Sequence, residues 1–450
     1  MKEQEAVLST LEKVLRWSTA DQTEVIFKAV DSYLTRFAQN CVHQNVAERD
    51  ANLSIRVIRG RKIGSVTTNL LDDESLRAAL AKADEIAERG KENPHFRSLP
   101  VSAEYPSVRT FDERTAALTP EERTEVARIA IDRARKEHFH ASGAFSTGTI
   151  QVAVANSFGV RVCQSFTKSS LKIVVQSPKG GSGYAYRLSR RFDDIDAREL
   201  SDQATEKCGL GGDPVEVQPG EYTVILEPYA VGALLAYLAY IGLGAFSLQE
   251  GRSFMCGKFG KEVMGENITL WDDGLDPKGM VVPFDFEGVP KRKVMLIESG
   301  VARGVVYDSY TAGREEGRIS TGHKLPGPIT LGPIPTNLFM KEGGYTVEEM
   351  IGSTENGIYV SRFWYTNVLE PVKTLVTGVT RDGTFLIRNG RISRAVKNLR
   401  FTESIVRTLS NVSMISRRTR LVEGIFSEFF SGSVVPALKA DKFNFTGVAD

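Results

Sequence analysis

From Pro228 to Gln249 the chain runs without a single charged residue, PYAVGALLAYLAYIGLGAFSLQ, between Glu227 and Glu250. A run of about 20 apolar residues is long enough to cross a bilayer. Gly232, Gly242 and Gly244 interrupt this one, however, and its flanks are acidic rather than basic, against the usual signature of a spanning helix. The residues before it favour another reading. EYTVILE alternates like a strand, and Pro228 suits a first helical turn, where its missing N–H has no partner to lose. The spacing predicts a helix from Pro228 to about Ile241, ended by Gly-Leu-Gly. A helix that is apolar all round belongs in a core or an interface.

The rest of the chain sets the context for such a helix. At 450 residues it exceeds one ordinary core, so two domains are expected, 1–205 and 220–450. Lysine and arginine number 57 against 56 acidic residues, which leaves no global field to attract nucleic acid or anionic lipid. Cys41, Cys163, Cys208 and Cys256 are far apart and form no CxxC pair, a pattern of reduced thiols rather than of disulfides or a zinc framework. The opening MKEQEAVLSTLEKVLRW is an amphipathic, acid-bearing helix and a poor signal peptide, so a cytoplasmic location is expected.

Residues 5–17, 72–90 and the capped TPEERTEVARIAIDRARKE read as helices, and alternating segments between and after them read as strands, with turns at Gly60 and at NSFG. Helices and strands are grouped rather than alternating, which favours an α+β fold. SPKGGSGYAYR and CGLGGDPVEVQPGEY read as glycine-rich linkers, because neither has the strand before and the Lys-Ser/Thr helix after that a phosphate-binding loop requires. Beyond Glu221, Ser-Gly, Asp-Gly and Asn-Gly pairs between apolar runs predict hairpins. The second domain is therefore expected to be mainly antiparallel and partly barrel-like, with one long buried helix.

No catalytic motif is visible. Of five histidines, His138 and His140 form an HFH pair that could share a metal, although caps or solvated side chains are commoner. His323, in the polar loop AGREEGRISTGHKLPGP, could line a binding surface or simply be solvated. Ser431-Gly432-Ser433 reads as a tight turn, and no GxSxG elbow supports a serine nucleophile. Tyr237 and Tyr240 need no role beyond a hydrogen-bond partner.

Five segments in order carry a further signal: EYTVILEPYAVGALLAYLAYIGLG, STGHKLPGP, TVEEMIGSTENGIYVSRF, GTFLIRNGRISRAVKNLRFTESIVRTLSNVSMIS and SGSVVPALKADKFNFTG. Together they resemble the TldD/PmbA family, once called modulators of DNA gyrase, over about residues 220–450. The active, TldD-type members carry an HExxxH zinc motif on the corresponding helix and a further cysteine ligand near the C-terminus. Aligned from TVIL, the resemblance puts Ala236, Tyr237 and Ile241 at the motif positions and Ser431 at the cysteine. None of these four is a zinc ligand or a general base.

That pattern is similar to the PmbA (TldE) branch, whose metal-free subunit pairs with a zinc-bearing TldD subunit. The resemblance implies a heterodimer that digests or trims unfolded, extended peptides, with no catalytic or metal residue in this chain and zinc in the partner. This chain would shape the cleft and hold substrate in extended form, with His323, Ser431 and Gly432 as candidate substrate contacts. The alternative is a self-standing homodimeric module that binds peptides or proteins without proteolysis. Neither nucleic acid nor membrane is expected as a partner.

Overall fold

The computed structural model describes residues 2–327, 331–424 and 431–449. Among these residues the fold is α+β, as expected, and it is built on two sheets. The first has six strands, all antiparallel: Gln22–Ala38, Cys41–Arg59, Lys62–Thr68, His140–Asn156, Arg161–Gln176 and Ser182–Ser189. Their order across the sheet puts Lys62–Thr68 at one edge and Ser182–Ser189 at the other. Gly60, at φ +61°, and Gly159, at φ +84°, make the two turns read from sequence. Gln39 and Asn40 make another, also with positive φ.

Helices Lys2–Trp17 and Asp73–Arg89 pack on one half of a face of this sheet, over Val25, Leu53 and Ile55. Helices Pro120–Lys136 and Ala197–Leu210 pack on the other half, over Phe145, Leu171 and Ile173. Their starts follow ordinary capping: Asp72 accepts from Ser75 N–H, and Thr119 and Glu122 close a reciprocal capping box. Two strand glycines let helix backbone lie directly on the sheet. A Cβ on Gly64 would stand 1.9 Å from the Ala83 carbonyl oxygen, and one on Gly183 would stand 2.0 Å from that of Ala204.

The sequence reading missed the strand Ser182–Ser189 and the helix Ala197–Leu210. SPKGGSGYAYR is not a linker: Gly180 and Gly181 turn the chain, and GYAYR continues as the edge strand.

The second sheet has eleven strands, mixed but mainly antiparallel. Five of them close on themselves: Gly220–Leu226 pairs with Asn356–Glu370, then Leu375–Arg388, Leu399–Ser404 and Gly432–Val448, which returns to Gly220–Leu226. Closure removes the edges an open sheet would expose. Gly220–Leu226 runs parallel to Asn356–Glu370, because a helix rather than a hairpin follows it. Of the predicted hairpin turns, Ser299-Gly300 and Asn389-Gly390 form. Asp382-Gly383 does not. It lies inside a strand, where the register slips and both residues take positive φ, as a bulge requires.

The charge-free stretch is a helix, Pro228–Gly242, with Pro228 in its first turn. Fifteen residues at about 1.5 Å each reach about 22 Å, short of a bilayer's roughly 30 Å core. No helix among the described residues is long and apolar enough to cross a membrane.

Candidate functional site

The helix Pro228–Gly242 lies where the two sheets meet. Leu234, Leu235 and Leu238 join one core with Ile150, Val152 and Tyr186 of the first sheet and Val422 and Val435 of the second. Its two ends are anchored differently. At the N-terminus the Tyr229 hydroxyl donates to the Tyr186 carbonyl at 2.9 Å, accepts from Tyr186 N–H at 3.0 Å, and receives the Arg420 guanidinium. Burial pushes the Tyr229 phenol above its ordinary value, so it stays a donor. At the C-terminus Ser253 Oγ caps the Gly242 carbonyl at 2.6 Å, and the Phe254 ring fills the space a side chain on Gly242 would take.

Just before the helix, the buried Glu227 carboxylate accepts from Lys207 Nζ at 2.6 Å, Tyr359 Oη at 2.7 Å and Ser361 Oγ at 2.8 Å. A buried charge is tolerable only with such complete pairing. Beside it, Asp382 accepts from Ser182 Oγ at 2.6 Å and pairs with Arg362, while Arg362 lies 4.4 Å above the Tyr184 ring. The edge strand Ser182–Ser189, misread from sequence, thus ties the first sheet to the second through Ser182 and Tyr184 and to the helix through Tyr186.

One stripe of the helix is less covered. Ala233, Tyr237 and Tyr240 follow at i, i+4 and i+7; Tyr240 is 43% exposed, whereas Ala236 and Ile241 are 8% and 5% exposed. The Tyr237 hydroxyl donates to the Thr366 carbonyl, and burial raises its phenol above the ordinary value. It is a tyrosine with its partner found.

Gly232 sits against Val422 and Val435. These belong to the strands Val412–Glu423 and Gly432–Val448, which pair Val422 with Ser433 and Glu423 with Gly432. Ser431, 5% exposed, packs on Gly424. A Cβ on Gly232 would stand 2.2 Å from Val422 Cγ2. Gly232→Val is therefore expected to force the helix off this strand pair and to cost about 1–3 kcal/mol, read as a lowered unfolding midpoint; an unchanged midpoint would show that the contact relaxes freely.

A metal does not fit here. Catalytic zinc needs three imidazole, thiolate or carboxylate donors. The methyl of Ala236, the phenol of Tyr237, the butyl of Ile241 and the hydroxyl of Ser431 do not supply them, and no cluster of three His, Cys, Asp or Glu suited to a metal occurs among the described residues. His138, at φ +58°, turns the chain after its helix and is exposed, as is His140.

His323 is not in a solvated loop. It is 1% exposed, with Nε2 2.7 Å from Asp272 Oδ1 and Nδ1 2.9 Å from Thr321 Oγ1. Lys291 completes the cluster, donating to Thr336 Oγ1 at 2.6 Å and Asn337 Oδ1 at 2.9 Å. Burial first and the Lys291 charge second hold the imidazole below its ordinary value, so it is neutral. Asn337 pairs directly with Gly432, so this network sits behind the backbone that presents Ser431. Sequence gave no signal of it, because its members are spread from residue 272 to residue 337.

The face of the first sheet turned away from its helices carries a groove. One part, about 480 Å³, has a floor of small residues, Ala144, Ser146 and Gly148, between acids on one side, Glu48 and Asp50, and lysines on the other, Lys168 and Lys172. It reaches Tyr186 and Glu423, whose carboxylate lies 3.4 Å from Lys168 Nζ, beside the strands under the helix. A second part, about 600 Å³, shares Lys28 and runs along the edge strand past Ile63, Ser65 and Thr67 to Leu325. Small residues on the floor let an extended chain lie close to the sheet, and an edge strand offers unpaired backbone groups.

Known proteins resemble this chain in sequence and in fold. Residues 219–447 match the PmbA/TldA metallopeptidase C-terminal domain, 113–208 the central domain and 23–87 domain 1 of that family. An uncharacterized protein of Methanocaldococcus jannaschii is 26% identical over 85% of this chain and 89% of its own length. A metalloprotease TldD homolog of Haemophilus influenzae is 25% identical over 88% of this chain and 87% of its own. In fold, the crystal structure of TldE from Thermococcus kodakarensis superposes with a TM-score of 0.87, at 21% identity, over 98% of this chain and 99% of that one. With family matches reaching from residue 23 to residue 447, this chain belongs to the PmbA/TldD family of metallopeptidase-related proteins.

Proposed function

We propose that this chain is the metal-free subunit of a two-subunit metallopeptidase of the TldD/TldE type, in which a zinc-bearing partner cleaves unfolded or extended peptides and this chain helps to form the cleft and hold them. The observation that carries the reading is the donor set at the helix: Ala236, Tyr237, Ile241 and Ser431 stand where the family resemblance puts the zinc ligands and the general base. The groove supports the holding role, since its small-residue floor and open edge strand suit a backbone bound without regard to sequence. His323 takes no part in catalysis on this reading, because both ring nitrogens are occupied inside the protein.

The test is to purify the chain from its own cells with its partners, identify them by mass spectrometry, count zinc, and assay cleavage of an unfolded peptide by the chain alone and with the partner. A stoichiometric partner carrying HExxxH and zinc, with cleavage only in its presence and abolished by a chelator, is expected. Chelator-insensitive cleavage by this chain alone would sink the proposal, and a metal-free homodimer that binds peptide without cutting it would replace it with the binding-module reading.

A further inference from the structure

The strand Arg161–Gln176 is paired along its whole length with His140–Asn156, but on its other side Ser182–Ser189 covers only Ser169–Gln176. The segment 108–112 lies along the uncovered part: Thr167 N–H donates to the Thr110 carbonyl at 3.1 Å, and Thr110 Oγ1 donates to the Ser165 carbonyl at 2.7 Å. Between this segment, the end of the edge strand and the loop at 275–281 is a cavity of about 380 Å³. Arg109, Arg190 and Arg191 all line it.

Arg190 is held without a carboxylate partner, whereas Arg109 and Arg191 both lie at ion-pair distance from Asp112 and Arg191 also from Asp193, which leaves three cations against fewer ion-paired acids at this cavity. Arg190 donates to the carbonyls of Arg109 at 2.5 Å and Pro277 at 3.0 Å, which fixes its guanidinium with donors to spare, and among the described residues it pairs with no carboxylate. Three acids lie close by, and one of them, Asp112, lines the cavity itself. Asp112 Oδ1 accepts both the N–H and the hydroxyl of Thr115, while its Oδ2 stays 3.9 Å from Arg109 and 3.8 Å from Arg191, beyond hydrogen-bond reach. Asp194 accepts from Ser189 Oγ at 2.6 Å, and Asp193 pairs with Arg191 Nη2 at 3.5 Å. Burial first holds the Arg190 guanidinium below its ordinary value; the Asp194 charge works against it, and the charges of Arg191 and Arg109 work with it. The rest of the wall is mixed: Asp112, Thr110 and Thr167 beside the apolar Phe111, Leu275 and Val281.

We propose that this cavity binds an oxyanion, a carboxylate or a phosphate, carried on a small apolar group. Planar guanidinium forks match both anions with two parallel hydrogen bonds. The volume exceeds that of a bare ion and falls in the range of small organic ligands. The site is separate from the groove and from the helix, and it stands whether or not the chain partners a peptidase.

The probes are N-acetyl-phenylalanine, its neutral amide, phenyl phosphate and inorganic phosphate, titrated calorimetrically against the full chain. Binding of N-acetyl-phenylalanine or phenyl phosphate, with none of the amide, is expected; binding of the carboxylate alone assigns a peptide C-terminus or similar acid, and binding of phenyl phosphate alone assigns a phosphorylated ligand. Arg190→Gln should weaken binding by about tenfold to a hundredfold, the worth of a charged hydrogen bond. Because Arg190 also ties two segments together, Arg109→Gln, at a largely exposed side chain, provides a variant that leaves the fold alone and should still weaken binding several-fold. Equal binding of the amide, no binding of any organic anion, or undiminished binding by both variants would overturn the proposal.

Discussion

Replacing Arg56 by methionine is expected to lower stability by about 3–5 kcal/mol at pH 8, the usual cost of stripping a buried charge pair of one member, and by distinctly less at pH 5.5. Arg56 stands on the first sheet and its Nη2 reaches Glu24 Oε2 at 3.0 Å on the neighbouring strand and Glu287 Oε1 at 3.2 Å from the second half of the chain. Glu24 and Glu287 are 1% and 2% exposed, and Asp285 and Asp308 are buried with them. Glu24 and Glu287 thus share one arginine, the charge of Lys324 acts on both and on Asp308, and Asp285 meets the cluster through Glu287.

The direction with pH follows from where the protons sit. Burial, then the neighbouring Glu287 charge, pushes Asp285 up to about 8, and burial raises Glu24 and Asp308 as well. Burial pushes Glu287 the same way, but Arg56 and Lys324 outweigh it and hold it below the ordinary value. A raised carboxyl keeps a proton in the folded state that the unfolded chain has released, so its contribution is present at acid pH and lost as pH climbs towards its folded value. Without Arg56, Glu24 and Glu287 can stay buried only by taking protons as well. The deficit of Arg56→Met is therefore expected to shrink as pH falls, each unit being worth up to about 1.4 kcal/mol per group. Chemical unfolding of both proteins at pH 8 and 5.5 measures it, and a deficit that is equal at both pH values, or under about 1 kcal/mol at pH 8, would show that water reaches these carboxylates.

That cluster also marks the limit of what could be read without coordinates. Local signals served where the physics is local. Pro228 and the Gly-Leu-Gly end bounded the buried helix, Gly60 turned its hairpin, and Thr119 with Glu122 started a helix, because each acts within a few residues. The barrel was legible in outline from apolar alternation. Asp382-Gly383 misled, since the same positive φ that makes a hairpin turn also makes a bulge, and only the partner strand decides between them. The edge strand Ser182–Ser189 was hidden by the glycine pair that turns into it. Charges were hardest to place. Glu24, Arg56 and Glu287 look like any surface residues in the sequence, and their meeting depends on how the first sheet lies against the loops of the second half. His323 was read as a loop residue for the same reason: the loop is polar, but what it packs against is Asp272, fifty-one residues away.

His323 and its neighbours give the second large effect. Lys291→Met is expected to cost about 3–5 kcal/mol at pH 8, because the methionine leaves Thr336, Asn337 and the Asp272 carboxylate without the cation that balances them. In the wild type, burial would raise Asp272, but Lys291 and His323 overcome it and bring it down to about 2. The carboxylate is therefore charged in any neutral buffer, and its stabilising contribution is lost only as pH falls from the ordinary aspartate range towards that value. His323 has the opposite disposition. Its folded value is lowered, so below about 6.5 the unfolded chain gains a proton that the folded imidazole refuses, and the wild type loses stability as pH drops through that range.

Removing Lys291 relieves the second of the two causes, while burial remains. The repulsion on the imidazole disappears while Asp272 stays 2.7 Å from Nε2, so His323 in the variant becomes the counter-ion and its folded value rises. The gap between Lys291→Met and the wild type should then narrow on going from pH 8 to pH 5.5, and the His323 ring resonances should titrate in the variant at a higher pH than in the wild type. A gap that holds constant, with no movement of the His323 titration, would mean that Asp272 is balanced by something other than this pair. Because Asn337 carries the strand that pairs with Gly432, the same variant should also loosen the backbone at Ser431, read as faster amide exchange at Gly432 and Ser433 at pH 8 than at pH 5.5 once the intrinsic rate is divided out. Acid rescues both variants, but through different protons: carboxylates at the junction of the sheets in Arg56→Met, and a single imidazole behind the strand in Lys291→Met. The His323 titration tells them apart, since it should move in the second variant and stay put in the first.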